Sequence, residues 1–284
     1  MTLESWIFEW IATWVEPLRA ASTAKGYHYA LGRLSASFLA RELNELTPTE
    51  CQREINRMAA KTPRQAQIAL VGLRMALKRA VRLGYISHNP AAETEAPAAE
   101  KREIRYLTPE QLIALLRAAA PLPSYRAIVC MALMGLRRGE ALGLCYGSIT
   151  GGHAHIVQQR NAQGQLVKLK TRASRRVLPV PPDLQRLLGD GDPDAFVCPV
   201  TCKTLYSDLK TALRAAQLPP ITPHGLRHTY ASMAIHEGVN MRVLQSLLGH
   251  AHFSVTADTY AHVYNPDMDA AGVRITKYIA PHVA

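Results

Sequence analysis

Apolar residues recur every three to four positions through the first ninety or so residues, which predicts a run of helices there. Trp6, Trp10 and Trp14 repeat every fourth position and put three large rings on one face of the first helix, turned either to a core or to a partner. Ser22 or Thr23 is the expected cap of a second helix carrying Tyr27, Leu31, Leu34 and Phe38. Thr47-Pro48 and Thr62-Pro63 read as two further helix starts, with threonine as cap and proline in the first turn. The helix from Pro63 to Leu83 is read with Ile68, Val71, Met75 and Leu83 on its apolar side. Its basic residues Arg74, Lys78 and Arg82 recur at i, i+4 and i+8, as a solvated face or as a row facing phosphates. Gly84 closes it.

From Asn89-Pro90 to about Arg105 the chain is rich in Ala, Glu and Pro and offers little to bury, so it reads as a linker. Thr108-Pro109-Glu110 caps the first helix of a second region. Helices are expected from Pro109 to Ala119 and from Ser124 to Leu136. Strand-like alternation follows at His155 to Gln159, Leu166 to Leu169 and Arg176 to Val180, with Gly164 as a hairpin turn. Helical patterning returns from Thr204. The chain therefore reads as α+β: a helical N-terminal domain over residues 1–90, a linker over 91–105, and a mostly helical domain with a small antiparallel sheet over 106–284.

The 284 residues carry a net charge of +11, with a pI near 9.6, which favours a polyanionic partner. Six basic side chains and no acid lie between Arg160 and Arg176. No basic segment followed by an apolar one marks a signal peptide, and no apolar run approaches membrane-spanning length. The odd, scattered cysteines Cys51, Cys130, Cys145, Cys198 and Cys202 fit a reducing cytoplasm rather than a disulfide framework. Cys198 and Cys202 lack a second ligand pair at zinc spacing, and His153 and His155 read as polar strand positions, so no metal is expected.

Four segments carry more functional groups than structure requires. In Gly135-Leu136-Arg137-Arg138-Gly139-Glu140, Gly139 is expected to break one helix before the next, leaving Arg137 at the junction, held by Glu140 as a cleft group or as an ordinary salt bridge. In the basic stretch from Lys168 to Arg176, Lys170 sits on a tight connection, as a movable charge with a transferable proton or as part of a solvated loop. Thr222-Pro223 starts a helix whose first turn places His224 and Arg227 on one face, beside free N–H groups that suit a phosphate. Asn240 caps a helix ended by Gly249; His250 follows, and Ser254 is the expected cap of a short helix bearing Tyr260.

Taken together, Gly-Leu-Arg-x-x-Glu at 135–140, Lys-Thr-x-x-Ser-x-Arg at 170–176, His-x-Leu-Arg-His at 224–228, Leu-Gly-His at 248–250 and Thr-Tyr-x-His at 259–262 resemble the signature of the tyrosine recombinases, the phage integrase family, in order and separation. Met134 and Gly139 stand where that family commonly has Thr and Ser. His250 and Tyr260 are ten apart, one more than in Xer-type resolvases. The resemblance implies a metal-free and ATP-free recombinase that integrates or excises a mobile element, working in the host cytoplasm at the nucleoid. Tyr260 would attack the scissile phosphate, Arg137 and Arg227 would grip its non-bridging oxygens, and Lys170 would protonate the leaving 5′-oxygen. His224 would move the proton of Tyr260, and His250 would bond the phosphate. Arg74, Lys78, Arg82, Lys168, Arg172 and Arg175 would contact DNA. The implied partners are double-stranded DNA with inverted-repeat core sites, three further copies in a tetramer assembled on DNA from monomers, and an excision helper protein. The tail from Asn265 to Ala284 would dock on a neighbouring protomer. An Xer-like resolvase, a type IB topoisomerase and a catalytically silent DNA-binding regulator are the alternatives; a silent binder has no need of a nucleophile.

Overall fold

The computed structural model describes residues 1–98, 105–169 and 171–260. The chain divides into two compact units, Met1–Arg102 and Glu103–Ala284.

The first unit is helical: α1 (Leu3–Trp10) running into a π-helical turn (Ile11–Val15), then α2 (Ala21–Leu31), α3 (Ala36–Leu39), α4 (Pro48–Ala59) and α5 (Pro63–Arg82). Trp6 and Trp10 are buried, and the Trp6 indole donates to the Ala76 carbonyl at 3.0 Å, so the tryptophan stripe faces the core. Thr47 closes a capping box with Glu50 at the start of α4. Helix α2 differs from the sequence reading. Its N-cap is Ala20, not Ser22 or Thr23, and it ends at Leu31, so Leu34 and Phe38 lie beyond it.

Helix α5 is turned differently from expectation. Its buried face is Ala66, Ala69, Leu70, Leu73, Ala76, Leu77 and Ala80, while Val71 and Leu83 are exposed. Small residues win the inner face because α2 and α4 pack closely there; a Cβ on Gly72 would lie 3.0 Å from the Tyr27 ring. The expected linker is also corrected along its first part. Ala91 and Thr94 are buried, and Arg74 donates to the carbonyls of both. Asn89 donates to the Arg74 carbonyl at 3.1 Å, Gln67 to that of Pro97 at 2.9 Å, and Glu95 N–H reaches Gln52 at 2.7 Å. A segment with few apolar side chains is held instead through its backbone, by polar side chains of α4 and α5.

The second unit comprises α6 (Pro109–Ala119), α7 (Tyr125–Leu133), α8 (Arg138–Leu142), strands β1 (Ile149–Thr150), β2 (His153–Ile156), β3 (Gln158–Arg160), β4 (Leu166–Lys168) and β5 (Arg176–Pro179), then α9 (Pro182–Leu188), α10 (Cys202–Ala215), α11 (Pro223–His236), α12 (Met241–Leu248) and α13 (Phe253–Tyr260). Thr108 forms a capping box with Gln111 at α6. The strands make two antiparallel sheets. One has the order β1-β2-β5, with His155 opposite Val177; the other is the β3-β4 hairpin, with Gln158 opposite Lys168 and Gly164 at φ +83° in its turn. In β2, His153 and His155 point to solvent while Ala154 and Ile156 are buried, as alternation requires. Ser254 lies inside α13 rather than capping it. Among the described residues no helix is long and apolar enough to cross a membrane.

Candidate active site

The first site residue is placed by a glycine. Just past the end of α7 lies Gly135, whose φ of +62° and contact with Tyr230 (an added Cβ would sit 2.5 Å from that ring) exclude other residues. The helix break is therefore at Gly135, not at Gly139. Gly139 lies within α8, where a Cβ would fall 2.9 Å from the Arg160 carbonyl oxygen; it lets β3 approach. Arg137, just before α8, donates its backbone N–H and its Nη1 to the two oxygens of Glu140, each at 2.9 Å.

The second anchor is the C-terminal end of α12, where Gly249 turns into the left-handed region at φ +66°. The last carbonyls of a helix lack internal partners and carry the negative end of its dipole. Here three successive ones each accept from a different arginine. Leu247 O accepts from Arg176 Nε at 2.7 Å, Leu248 O from Arg227 Nη2 at 2.5 Å, and Gly249 O from Arg137 Nη2 at 3.1 Å. Arg227 is fixed again by Gly135 O at 2.7 Å, and Arg176 by Glu140 at 2.8 Å. One helix end thus aligns three guanidiniums, and the buried Glu140 carboxylate lies between Arg137 and Arg176.

Beside them runs a cleft of about 310 Å³ lined by Arg137, Glu140, Gln159, Thr171, Ser174 and His250. Arg137 is a third exposed towards it, whereas Arg227 is 1% exposed and lies beneath. His250 is half-buried and bonds Thr256 Oγ1 through Nδ1 at 2.8 Å. The ring of Tyr260 packs against α11 and α12 with Ala231, Ile235, Leu244 and Leu248, and its hydroxyl meets His228 Nδ1 at 2.8 Å.

Burial alone would raise the Glu140 carboxyl, but hydrogen bonds from Arg176 and the charges of Arg176 and Arg137 hold it below the ordinary range. Desolvation, reinforced by Arg137, brings the Arg227 guanidinium down to about 9. Desolvation and the neighbouring guanidiniums push His250 to about 4 and lower His224; desolvation, His224 and Arg227 take His228 to about 4. Burial pushes the Tyr260 hydroxyl up to about 12, against a lowering pull from Arg227. The histidines are thus neutral and the phenol protonated at neutral pH.

Arg137 and His250 line the cleft, Arg227 is buried at the end of α12, and Tyr260 is buried against α11 and α12 within reach of the Arg227 charge. His224 does not take its expected place beside Tyr260. It is exposed, its ring edge-on to His228 with centroids 4.6 Å apart, and the hydroxyl of Tyr260 is bonded by His228 instead. Lys170 lies outside the described residues, as do the side chain of Arg172 and the tail from Asn265 to Ala284. Of the other basic residues read as DNA contacts, Lys78, Arg82, Lys168 and Arg175 are exposed. Arg74 is corrected: its Nε and Nη2 are committed to the Ala91 and Thr94 carbonyls, which makes it a tie within the first unit. Sequence reasoning gave no role to Arg176 or His228, although each ends a motif it had singled out. Among the described residues no cluster of three or more His, Cys, Asp or Glu could hold a metal ion.

A row of oriented arginines at one cleft and a buried tyrosine bonded to a histidine, on a mixed domain that follows a helical one, suit a phosphoryl-transfer enzyme that works through a protein nucleophile. The chain matches the model of the Phage integrase family over residues 105–266 and belongs to that family, as a tyrosine site-specific recombinase. A tyrosine recombinase XerC of Pelobacter propionicus is 27% identical over 254 residues, spanning 81% of this chain and 82% of its own length. A putative integrase of Pseudomonas phage Pf1 is 30% identical over 195 residues, spanning 64% of this chain and 53% of the phage protein. Two solved structures share the fold. A Tn1549 transposon integrase in complex with a circular intermediate DNA has a TM-score of 0.79 at 20% identity, with 98% of this chain and 99% of that one covered. A lambda integrase tetramer bound to a Holliday junction has a TM-score of 0.71 at 19% identity, with 91% and 77% covered.

Proposed function

We propose that this recombinase cuts and rejoins double-stranded DNA through a 3′-phosphotyrosyl bond on Tyr260, without metal or ATP, and serves to integrate or excise a mobile element. The observation that carries the reading is the convergence at the end of α12: its carbonyls orient Arg137 and Arg227 beside a cleft, and the charge of Arg227 reaches the Tyr260 hydroxyl. Attack on phosphorus builds negative charge on the non-bridging oxygens, and preoriented guanidiniums stabilise it without reorganising. Arg137 presents its face to the cleft and supplies direct hydrogen bonds; the deeper Arg227 acts chiefly as a fixed positive charge. His250, held by Thr256, bonds a phosphate oxygen, and Lys170 protonates the leaving 5′-oxygen. The covalent link keeps the energy of the broken bond, so a 5′-hydroxyl from a partner duplex reverses the step.

Exposed Lys78, Arg82, Lys168 and Arg175 supply phosphate contacts along inverted-repeat core sites. The lambda integrase seen as a tetramer on a Holliday junction supports assembly of four copies of this chain on DNA. This chain's action in the host cytoplasm and its use of an excision helper protein belong to the same proposal. The test is Tyr260→Phe on a suicide substrate nicked near the cleavage point. No covalent protein–DNA band is expected, with affinity nearly unchanged because many phosphate contacts set it. A band that persists overturns the assignment and moves the nucleophile to another residue, such as Tyr264.

A further inference from the structure

Tyr260 loses a proton when it attacks and regains one when it leaves, and its hydroxyl needs a partner for both. The residue is 1% exposed, so bulk water has little access to it. The hydrogen-bond partner the structure gives it is His228 Nδ1, at 2.8 Å, with ring centroids 5.6 Å apart. His228 follows Arg227 directly in α11, so the side chain that steadies the phosphate and the one that meets the nucleophile leave adjacent positions of one helix turn. His224, one turn earlier, stands edge-on against the His228 ring and fixes its tilt. His224 itself is exposed.

We propose that His228 is a catalytic residue, the proton acceptor of Tyr260 in cleavage and its proton donor in rejoining. The inference rests on Tyr260 being the nucleophile. In cleavage the Tyr260 oxygen forms a bond to phosphorus, its proton passes to His228 Nδ1, the P–O5′ bond breaks, and the departing oxygen takes a proton from Lys170. Rejoining runs the same transfers backwards: the imidazolium returns its proton to the phenolic oxygen as that leaves phosphorus. In the resting site His228 is neutral, because burial, His224 and Arg227 disfavour its charged form, so the Nδ1 lone pair is free to accept. The phenol holds its proton until bond formation to phosphorus makes it more acidic, so transfer accompanies attack rather than preceding it. The imidazolium then sits beside the phosphate's growing negative charge.

The experiment uses the full chain and the nicked suicide substrate, with adduct formation followed in a single turnover. His228→Asn keeps an acceptor for the Tyr260 hydroxyl but cannot carry its proton. It should form adduct about a hundredfold or more slowly at unchanged DNA affinity. Replacing Tyr260 by 3-fluorotyrosine, a more acidic phenol, should restore much of that rate in His228→Asn while changing the wild-type rate little. A near-normal rate in His228→Asn shows mere positioning and overturns the proposal. So does a slow variant that fluorotyrosine fails to rescue, or rescue seen in His224→Asn but not in His228→Asn. If His228→Asn loses its cooperative thermal melt, His228→Gln carries the same comparison. Adduct formation by Tyr260→Phe would instead sink the underlying assignment of the nucleophile, whatever the histidine variants do.

Discussion

At the scale of residues, the site is built from charges and neutral rings that water no longer stabilises. Glu140 is 1% exposed and pairs with Arg137 and Arg176, whose own side chain is 6% exposed, so neither partner can be removed without leaving a buried charge. The histidines make a related statement about pH. His228 and His250 titrate at about 4 in the folded protein against an ordinary 6.5. Between those values the unfolded chain binds protons that the folded chain refuses, so their contribution is intact above 6.5 and is lost as pH falls towards 4. Glu140 acts in the same direction lower down, its contribution present above the ordinary 4.5 and lost as pH falls through its depressed value. The urea midpoint should therefore drop steadily between pH 7 and 4. In the His228→Asn, His250→Asn double variant the slope of stability against pH should flatten by up to about two protons. An unchanged slope would mean that these rings are solvated in the folded state.

At the scale of elements, the end of α12 organises the catalytic unit. Its three terminal carbonyls belong to one rigid turn, so a disturbance at Gly249 reaches Arg137, Arg227 and Arg176 together. A Cβ at Gly249 would sit 3.0 Å from the Ala173 carbonyl oxygen and 3.2 Å from the Arg176 side chain, at a φ that L-residues avoid. Gly249→Ala should cost about 1–2 kcal/mol from the backbone conformation alone, measured by urea denaturation. Adduct formation should fall further than that loss explains, because the arginines shift as well. A variant destabilised to that extent but fully active would show that the arginines are placed independently of this turn.

At the scale of the whole molecule, two units each enclose their own core, one of helices alone and one of helices around small sheets. The exposed Lys78 and Arg82 belong to the first unit and the proposed catalytic residues to the second. A fragment covering residues 101–284 should still form the covalent adduct on a suicide substrate. It should bind core-site DNA more weakly, with a shallower dependence of log affinity on log salt, because it neutralises fewer phosphates and so releases fewer counterions. Equal salt slopes for fragment and full chain would place all the phosphate-binding residues in the second unit.

The sequence by itself determined what neighbours along the chain decide. Thr47-Pro48 and Thr108-Pro109 start helices, Gly164 turns a hairpin, and α6 is legible to the residue, because caps, turns and periodicity act over a few positions. The candidate chemistry was named from sequence for the same reason: Arg137, Arg227, His250 and Tyr260 stand in short motifs whose residue types exceed structural need. Tertiary structure decided the pairings. His224 and His228 lie four apart, on the same face of α11, so periodicity cannot choose between them; the choice is made where α13 sets Tyr260, 32 residues away. The bonds from Arg137 to Gly249 and from Arg227 to Gly135 span 112 and 92 residues, and composition could not show that Arg74 ties down a segment that looked free. Unpartnered carbonyls at a helix end and a buried carboxylate attract whichever donors the folded chain brings within reach, and that reach is a property of the packing.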